Sequence, residues 1–179
     1  MRIVGGSLKG RRFEAPRQIK ARPTTDMARE GIFNVLENKG IPANMTVLDL
    51  FFGVGGMTLE FISRGVKSIT SVDINRLSTN HLYTLKKNWD LDNLKIVHAD
   101  VYKLLSRPKG KFDLVFADPP FADKRLATLP DSVLKTGWID EKGLFILEHG
   151  SDHNFENHDS LSDQYRFGNV HFSFFTLKR

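Results

Sequence analysis

The chain alternates between short, nearly continuous apolar runs and longer segments whose apolar residues recur at helical spacing. Each short run is followed by a glycine or an aspartate, and a short apolar run that ends in this way is typical of a strand buried on both faces. Strands that alternate with helices predict a mostly parallel α/β sheet. The predicted strands are residues 46–52, 68–72, 94–99, 112–117 and 143–149.

Helical segments are predicted between these strands, and one precedes the first strand. Thr24 or Thr25 suits the N-cap of that first helix, because Asp26 and Glu30 then lie near the positive end of its dipole. The predicted helices are residues 26–39, 59–64, 76–89, 101–105 and 124–135. The side chains predicted to face the core are Met27, Ile32, Phe33, Val35 and Leu36 in the first helix, and Leu77, Leu82 and Leu85 in the third.

The two ends of the chain predict antiparallel pairs. Residues 1–13 are predicted to form a hairpin, and residues 165–167 and 170–177 a closing pair. The last strand is expected to be central, because both of its faces are apolar. The fold class is therefore α/β, with a mostly parallel sheet, an antiparallel C-terminal strand and a small N-terminal hairpin and helix. We predict one domain over residues 1–179, of which residues 1–40 are the basic extension.

Composition limits the chemistry and the setting. The absence of cysteine excludes disulfides, a thiolate zinc site and a cysteine nucleophile. No apolar run approaches the roughly 20 residues that span a membrane, and the basic N-terminus lacks the apolar segment of a secretory signal. A cytoplasmic location is expected.

Positive charge is concentrated at the N-terminus. Residues 1–30 carry eight lysines and arginines against three acidic residues, so the whole net charge of +5 resides there. A basic arm on an electrically neutral body predicts a polyanionic partner that is contacted through its phosphates, and a solvated tail is the alternative. The candidate phosphate contacts are Lys9, Arg11, Arg12, Arg17, Lys20 and Arg22.

Polar residues follow four of the predicted strands. The loop Gly53-Val54-Gly55-Gly56 allows a ligand to approach the backbone closely. Asp73 comes 20 residues after Gly53, which is the spacing of an acid that binds ribose hydroxyls. Asp100 and Asp118 end the next two strands, and the carboxyl ends of parallel strands share one edge. A tight turn with exposed acids is the alternative interpretation.

The type of nucleoside ligand follows from a missing glycine. A dinucleotide site would need a third glycine where Thr58 stands. The loop and the acids therefore favour an adenosine-containing ligand without a pyrophosphate, and S-adenosylmethionine is the candidate. The chain also has no plausible acid for the hydride site of a nicotinamide-dependent dehydrogenase, which disfavours that alternative.

The fourth strand ends in Asp118-Pro119-Pro120-Phe121. Two prolines forbid a helix and a further ladder bond, so the segment is expected to be a rigid ledge between an acid and an aromatic ring. Such a ledge can hold a flat, polar ring by its edge and its face. A Phe121 that only packs in the core is the alternative.

The strand-end motifs together resemble the class I methyltransferases that act on exocyclic amines. Two N-terminal blocks narrow the resemblance, namely Arg2-Ile3-Val4-Gly5-Gly6 with Lys9-Gly10-Arg11, and Arg22-Pro23-Thr24-Thr25-Asp26 with Arg29-Glu30-Gly31-Ile32-Phe33-Asn34. With them the chain resembles the bacterial 16S ribosomal RNA guanine-N2 methyltransferases of the D type. The likeness runs from residue 2 to about 150 and is weakest over about 151–169.

The resemblance implies a Rossmann-like sheet with S-adenosylmethionine bound across the glycine loop. It implies that Asp49 lies near the methionine amino group, with Thr24 and Thr25 close by. Asp73 would hold the ribose and Asp100 the adenine amine. The implied cofactor-binding residues are Thr24, Thr25, Asp49, Phe51, Gly53, Gly55, Gly56, Asp73, Ile74, Asp100 and Val101.

The ledge then becomes the candidate catalytic segment, formed by Asp118, Pro119, Pro120 and Phe121. Asp118 and the Pro119 carbonyl would accept the two N–H bonds of the guanine 2-amino group, and Phe121 would stack on the flipped base. The expected partner is 16S ribosomal RNA or the assembling small subunit, and a monomer is expected. An adenine-N6 methyltransferase and a catalytically silent RNA-binding assembly factor are the alternatives.

Histidines near the C-terminus are weaker candidates. His149 ends strand five at the same edge and is interpreted as a structural histidine, with an RNA contact as the alternative. His153 and His158 stand beside acidic residues, but their spacing fits no helical pair of metal ligands. A polar loop is therefore favoured there, and no metal is predicted.

Overall fold

The computed structural model describes residues 1–19, 24–41, 43–107 and 110–178. Its strands are β1 (Thr46–Leu50), β2 (Ser68–Asp73), β3 (Leu94–His98), β4 (Phe112–Ala117), β5 (Ile139–His149), β6 (Leu161–Phe167) and β7 (Val170–Thr176). Its helices are α1 (Asp26–Asn38), α2 (Gly56–Ser63), α3 (Arg76–Asn88), α4 (Val101–Leu105) and α5 (Leu129–Leu134), and a 3₁₀ turn (Leu126–Thr128) precedes α5. In this part of the chain no helix is long and apolar enough to cross a membrane.

The strands form one sheet in the order β3-β2-β1-β4-β5-β7-β6. Strands β1 to β5 are parallel, whereas β7 is antiparallel to both of its neighbours. The predicted mixed sheet and the central position of the last strand are confirmed. The strand order reverses between β1 and β4, so the carboxyl ends of these two strands border the crevice in which such sheets bind ligands.

Helices cover both faces of the sheet. On one face an aromatic column joins α1, α2, β4 and β7, with ring centroids 4.9 Å apart for Phe33 and Phe61, 5.8 Å for Phe61 and Phe116, and 6.4 Å for Phe116 and Phe172. The opposite face packs Val115 and neighbouring strand residues against α4 and α5. Both faces of β4 are therefore buried, which explains its continuous apolar run.

Helix α1 begins where it was predicted to begin, but one residue that was predicted to face the core does not. Thr25 caps it, accepting a hydrogen bond from the Ala28 amide at 3.2 Å. Met27 was predicted to face the core, and this is wrong, since it is 62% exposed. The buried stripe instead includes Arg29, and Met27 lies on the opposite side of the helix at about 100° per residue. The prediction that Leu77 of α3 faces the core is likewise wrong, because this side chain is 48% exposed.

Several predicted boundaries also need correction. β1 ends at Leu50 because Phe51 takes a positive φ of 61°, which turns the chain out of the sheet. The predicted helix 124–135 is a 3₁₀ turn followed by the short α5, which has Pro130 in its first turn. The strands β5 and β6 begin earlier than predicted, and α2 begins at Gly56 directly after the glycine loop.

The N-terminal hairpin is reduced to a single antiparallel bridge, Arg2 with Arg12. Its turn is docked on α2 instead of extending as a free ribbon. The Leu8 amide donates to Ser63 Oγ at 2.9 Å, and the Val4 amide donates to the buried carboxylate of Glu60 at 2.5 Å. Arg29 Nε lies 3.9 Å from the same carboxylate. The Glu60 carboxylate of α2 therefore holds the N-terminal segment through the Val4 amide, while its charge is balanced by Arg29 of α1.

Candidate active site

The loop after β1 has a backbone that requires glycine. Gly53 and Gly55 have φ values of 55° and 85°, in the region that side chains disfavour. A Cβ on Gly55 would also lie 2.9 Å from the Leu82 side chain. Because Gly55 directly precedes α2, the amides of its first turn point into the crevice. The predicted glycine positions thus lie at the ligand-binding edge of the sheet.

Asp73 holds this loop in place. One carboxylate oxygen accepts the Gly53 amide at 2.8 Å and the other accepts the Asn75 amide at 2.7 Å. Burial raises the pKa of Asp73, and these amide hydrogen bonds oppose the rise. Each oxygen keeps a second lone pair, so bracing the loop and binding a ribose are compatible. Ile74 beside it is 62% exposed, an apolar surface at the edge of the crevice.

The end of β3 adds a second polar and apolar pair. Asp100 caps α4 by accepting the Lys103 amide at 3.2 Å, and its side chain is half-buried. Val101 is buried behind it. The ring of Phe51 packs edge-on against Tyr102 with centroids 5.7 Å apart. These residues line the same edge as the glycine loop, as predicted from their strand-end positions.

Asp49 is fully buried at the end of β1. One of its oxygens accepts the Thr58 hydroxyl, while Oδ1 has no hydrogen-bond partner among the described residues. Burial raises the pKa of Asp49 to about 7. An unpaired buried acceptor is costly unless a ligand completes it. A cationic amine would do so, and the residues present therefore fit the amino group of S-adenosylmethionine.

The ledge lies at the end of β4. The Asp118 amide donates to the Leu50 carbonyl at 3.2 Å, so the segment continues the β1–β4 ladder for one residue. Pro119 is buried and Pro120 is exposed. Burial raises the pKa of Asp118 well above its ordinary value, and the nearby Glu148 and Asp49 carboxyls raise it further.

Gly150 and His153, which follow β5, lie against Phe121. His153 Nε2 lies 3.3 Å from the Phe121 carbonyl. A Cβ on Gly150 would lie 3.0 Å from the ring, so the absence of a side chain there makes room for it. Phe121 itself is half-buried. A half-exposed aromatic held from behind suits stacking better than a core position does.

Sequence reasoning missed Glu148, which is buried at the end of β5. Its carboxylate accepts the Thr24 hydroxyl at 2.9 Å. Burial raises the pKa of Glu148 to about 8, and the Thr24 hydroxyl opposes the rise. Its signal in the sequence is an acidic residue near the end of the apolar run of strand five, directly before His149.

His149 is structural. It is fully buried, its Nε2 lies 2.8 Å from Ser173 Oγ and its Nδ1 lies 2.9 Å from the Gly150 carbonyl. Both ring nitrogens are therefore engaged inside the protein, and the alternative of an RNA contact is wrong for this side chain. His158 lies 3.6 Å from Asp131 instead of pairing with His153. No group of metal-ligand side chains occurs within the described residues.

The basic residues are distributed over the N-terminal segment. Lys9, Arg11, Arg12 and Arg17 are exposed. Arg11 stacks over the Trp89 ring at 4.1 Å, so the return segment lies against the end of α3. Lys20 and Arg22 fall outside the described residues, and their predicted role remains a prediction.

A glycine loop, acidic strand ends and an Asp-Pro-Pro-Phe ledge on this sheet define a Rossmann-like class I methyltransferase. The comparisons agree: the chain belongs to the family described as Conserved hypothetical protein 95, which matches residues 1–176. The resemblance indicated by the sequence motifs is confirmed.

Relatives of known name and structure share most of the chain. Ribosomal RNA small subunit methyltransferase D of Escherichia coli (strain K12) is 30% identical over 148 residues, which are 83% of this chain and 74% of that protein. The enzyme of the same name from Buchnera aphidicola is 28% identical over 83% of this chain and 75% of its own length. The structure of a hypothetical protein from Thermus thermophilus superposes with a TM-score of 0.86 at 25% identity, covering 99% of each chain.

Proposed function

We propose that this protein transfers a methyl group from S-adenosylmethionine to the exocyclic N2 amine of a guanine in small-subunit ribosomal RNA. The observation that carries the proposal is the Asp118–Pro119 ledge at the sheet's switch point, one strand away from the glycine loop. The names of the relatives support ribosomal RNA as the substrate. The N-terminal sequence blocks favour guanine over adenine.

The cofactor would be held by the strand ends of the other half of the crevice. When bound, S-adenosylmethionine supplies an electrophilic methyl group. Asp49 Oδ1 is the acceptor available to its amino group, since it has no partner among the described residues. Asp73 would take the ribose, and Asp100 with the exposed Ile74 would flank the adenine. Thr25 serves this site indirectly, because its hydroxyl caps α1.

The ledge would orient the amine of the base. A guanine 2-amino nitrogen is a poor nucleophile, because its lone pair is delocalised into the ring. Asp118 and the Pro119 carbonyl would each accept one N–H bond, which turns the lone pair towards the methyl donor. Asp118 would also take the proton that nitrogen loses once its new bond to carbon forms. Positioning of this kind can supply several kcal/mol of the barrier.

Phe121 would hold the flipped base by its face. Stacking of a base on an aromatic side chain is worth about 1–3 kcal/mol, which offsets part of the cost of unstacking it from the RNA. His153 contacts the Phe121 carbonyl, and Gly150 leaves room for the ring. The ring thus supplies affinity for the base, while Asp118 supplies its orientation.

The test is nucleoside mass spectrometry of under-methylated small subunits incubated with the protein and S-adenosylmethionine. We expect N2-methylguanosine from the wild type. The Asp118→Ala variant should lose about 10²–10⁴-fold in rate, the range for a positioned acid or base, while its affinity for S-adenosylmethionine is kept. Asp152→Asn, a change at an exposed loop residue, is the matched control.

The other outcomes separate the rival functions. N6-methyladenosine in place of methylguanosine would identify an adenine methyltransferase. Binding of small subunits without methylation of any base would identify a silent assembly factor. A fully active Asp118→Ala variant would remove the ledge from the mechanism.

A further inference from the structure

Three residues from different loops pack in series at the carboxyl edge of the sheet. Phe51 follows β1, Tyr102 lies in α4 after β3, and Arg125 lies in the loop after the ledge. The Phe51 and Tyr102 rings meet edge-on with centroids 5.7 Å apart. The Arg125 guanidinium lies over the Tyr102 ring, with Cζ 3.9 Å from the ring centroid, which is a stacking distance for a cation on an aromatic face. Arg125 is therefore the outer layer of a series that begins beside the glycine loop.

Asp123 fixes the orientation of this guanidinium. Its two carboxylate oxygens accept hydrogen bonds from Arg125 Nε at 3.2 Å and from Nη2 at 3.1 Å. The same carboxylate accepts the Arg125 amide at 2.9 Å. The Asp123 amide in turn donates to the Pro120 carbonyl at 2.8 Å, so the chain turns back directly after Phe121. The guanidinium is thus held in one plane by the turn that carries the ledge.

One face of the guanidinium stays open to solvent. Tyr102 covers the other face and Asp123 occupies the Nε–Nη2 edge, yet the Arg125 side chain is 58% exposed. An exposed ion pair contributes little to stability, and holding a long side chain in one rotamer costs entropy. A side chain that is ordered before binding, however, loses less entropy when a ligand arrives. The arrangement therefore suits a ligand that contacts the open face.

The occupied edge favours a nucleobase over a phosphate as that ligand. A phosphate binds a guanidinium through its paired N–H donors, and at Arg125 one such pair already serves Asp123, whose negative charge also repels a phosphate. The open face is planar and cationic, and unstacked RNA bases stack on guanidinium planes. When a nucleotide flips out of its stack, the base beside it loses a stacking neighbour and becomes available for such a contact.

We propose that Arg125 is an RNA-binding residue whose open guanidinium face stacks on the nucleobase next to the flipped guanine. Phe121 would hold the target base, and Arg125, in the same turn, would hold the neighbour that flipping leaves without a stacking partner. The inference rests on the proposed function for RNA as the substrate and for the flipped base. It assigns to Arg125 affinity for RNA and no part in the chemistry.

The experiment separates the plane of Arg125 from its charge. Arg125→Lys keeps the charge and loses the plane, Arg125→Trp keeps a plane and loses the charge, and Arg125→Met loses both. In filter binding of small-subunit RNA without cofactor, the lysine and methionine variants should bind about 5- to 50-fold more weakly, the range expected for one stacked base. The tryptophan variant should stay within about 3-fold of the wild type. Arg166→Lys and Arg166→Met, at an exposed arginine of the edge strand β6, are the matched controls and should bind as the wild type does.

The salt dependence of binding identifies a phosphate contact. Stacking on a base releases no counterion, so the slope of log K against log salt should be the same in the wild type and in all three Arg125 variants. A slope reduced by about 0.7 in the methionine and tryptophan variants, with wild-type affinity in Arg125→Lys, would show a phosphate contact and overturn the proposal. Unchanged affinity in all three variants, or an equal loss in all three, would overturn it as well.

Binding measured without S-adenosylmethionine is independent of methyl transfer, so the two proposals can fail separately. If the variants rank as expected and the methylation assay yields no N2-methylguanosine, the proposed function fails and the stacking site stands. If N2-methylguanosine forms and the variants do not rank in this way, the stacking site is refuted and the proposed function stands.

Discussion

Asp49 carries a prediction of its own, because one of its oxygens is buried without a partner among the described residues. Asp49→Asn should weaken the binding of S-adenosylmethionine about 10- to 100-fold, since hydrogen bonds to charged groups contribute about 1.5–3 kcal/mol. Isothermal titration calorimetry measures the loss. Asp140→Asn, at an exposed position, is the control.

The pH dependence of that binding has a definite sign. The pKa of Asp49 is about 7 in the free protein because of burial. A bound ammonium group favours the ionised carboxylate, so binding releases a proton and the affinity rises with pH up to about 7. The asparagine variant should lose this dependence. An unchanged affinity in Asp49→Asn would mean that the amine binds elsewhere.

At the scale of elements, the N-terminal turn can dock on α2 because the residue at the contact, Gly6, has no side chain. Gly6 has a φ of 71°, and a Cβ there would lie 2.0 Å from the Ser63 carbonyl oxygen. Gly10 in the same turn has a φ of 84° with no described atom within 4 Å of such a Cβ. The two glycines form a matched pair of test sites, alike in backbone conformation and different in contact.

Gly10→Ala should lower the free energy of unfolding by about 1 kcal/mol, because alanine must adopt the left-handed backbone conformation there. Gly6→Ala must in addition push the turn away from α2, so it should lower the free energy of unfolding by about 1–3 kcal/mol more than Gly10→Ala does. Urea unfolding followed by circular dichroism gives both values. Equal destabilisation by the two substitutions would show that the turn is not held against α2 in solution.

The elements themselves were largely readable from local pattern. The α1 cap, the buried strands and the order of helices and strands follow from signals within a few residues. The errors lie where tertiary contacts override such signals. Docking on α2 leaves the N-terminal hairpin only a single bridge, and β5 extends back to Ile139 because β4 offers it a partner at Phe112.

At the scale of the whole molecule, the exposed basic residues of the N-terminal segment predict salt-dependent binding of RNA. Replacing Arg12 with Gln should weaken the affinity for small-subunit RNA and reduce the slope of log K against log salt by about 0.7 for each phosphate that the variant no longer binds. Filter binding at several salt concentrations measures both. Lys142→Gln, an exposed change at the beginning of β5, is the control and should leave the slope unchanged. Equal slopes for Arg12→Gln and the wild type would place the RNA away from this segment.

The one-domain organisation and the monomeric state remain predictions.

The sequence by itself determined the α/β class, the mixed sheet and the acids at the strand ends, because periodicity and strand-end chemistry are local properties of the chain. It also pointed to Asp118–Phe121, since two prolines after a buried strand have few conformations open to them. Only the tertiary structure decided which acids meet. Glu148 joins Asp118 and Thr24 through the pairing of β4 with β5 and the packing of α1, contacts between residues 124 positions apart in the case of Thr24 and Glu148. Contacts between residues so far apart in the chain leave no signature in a single sequence. The burial that raises the pKa values of these carboxyls likewise arises only when the helices pack on the sheet.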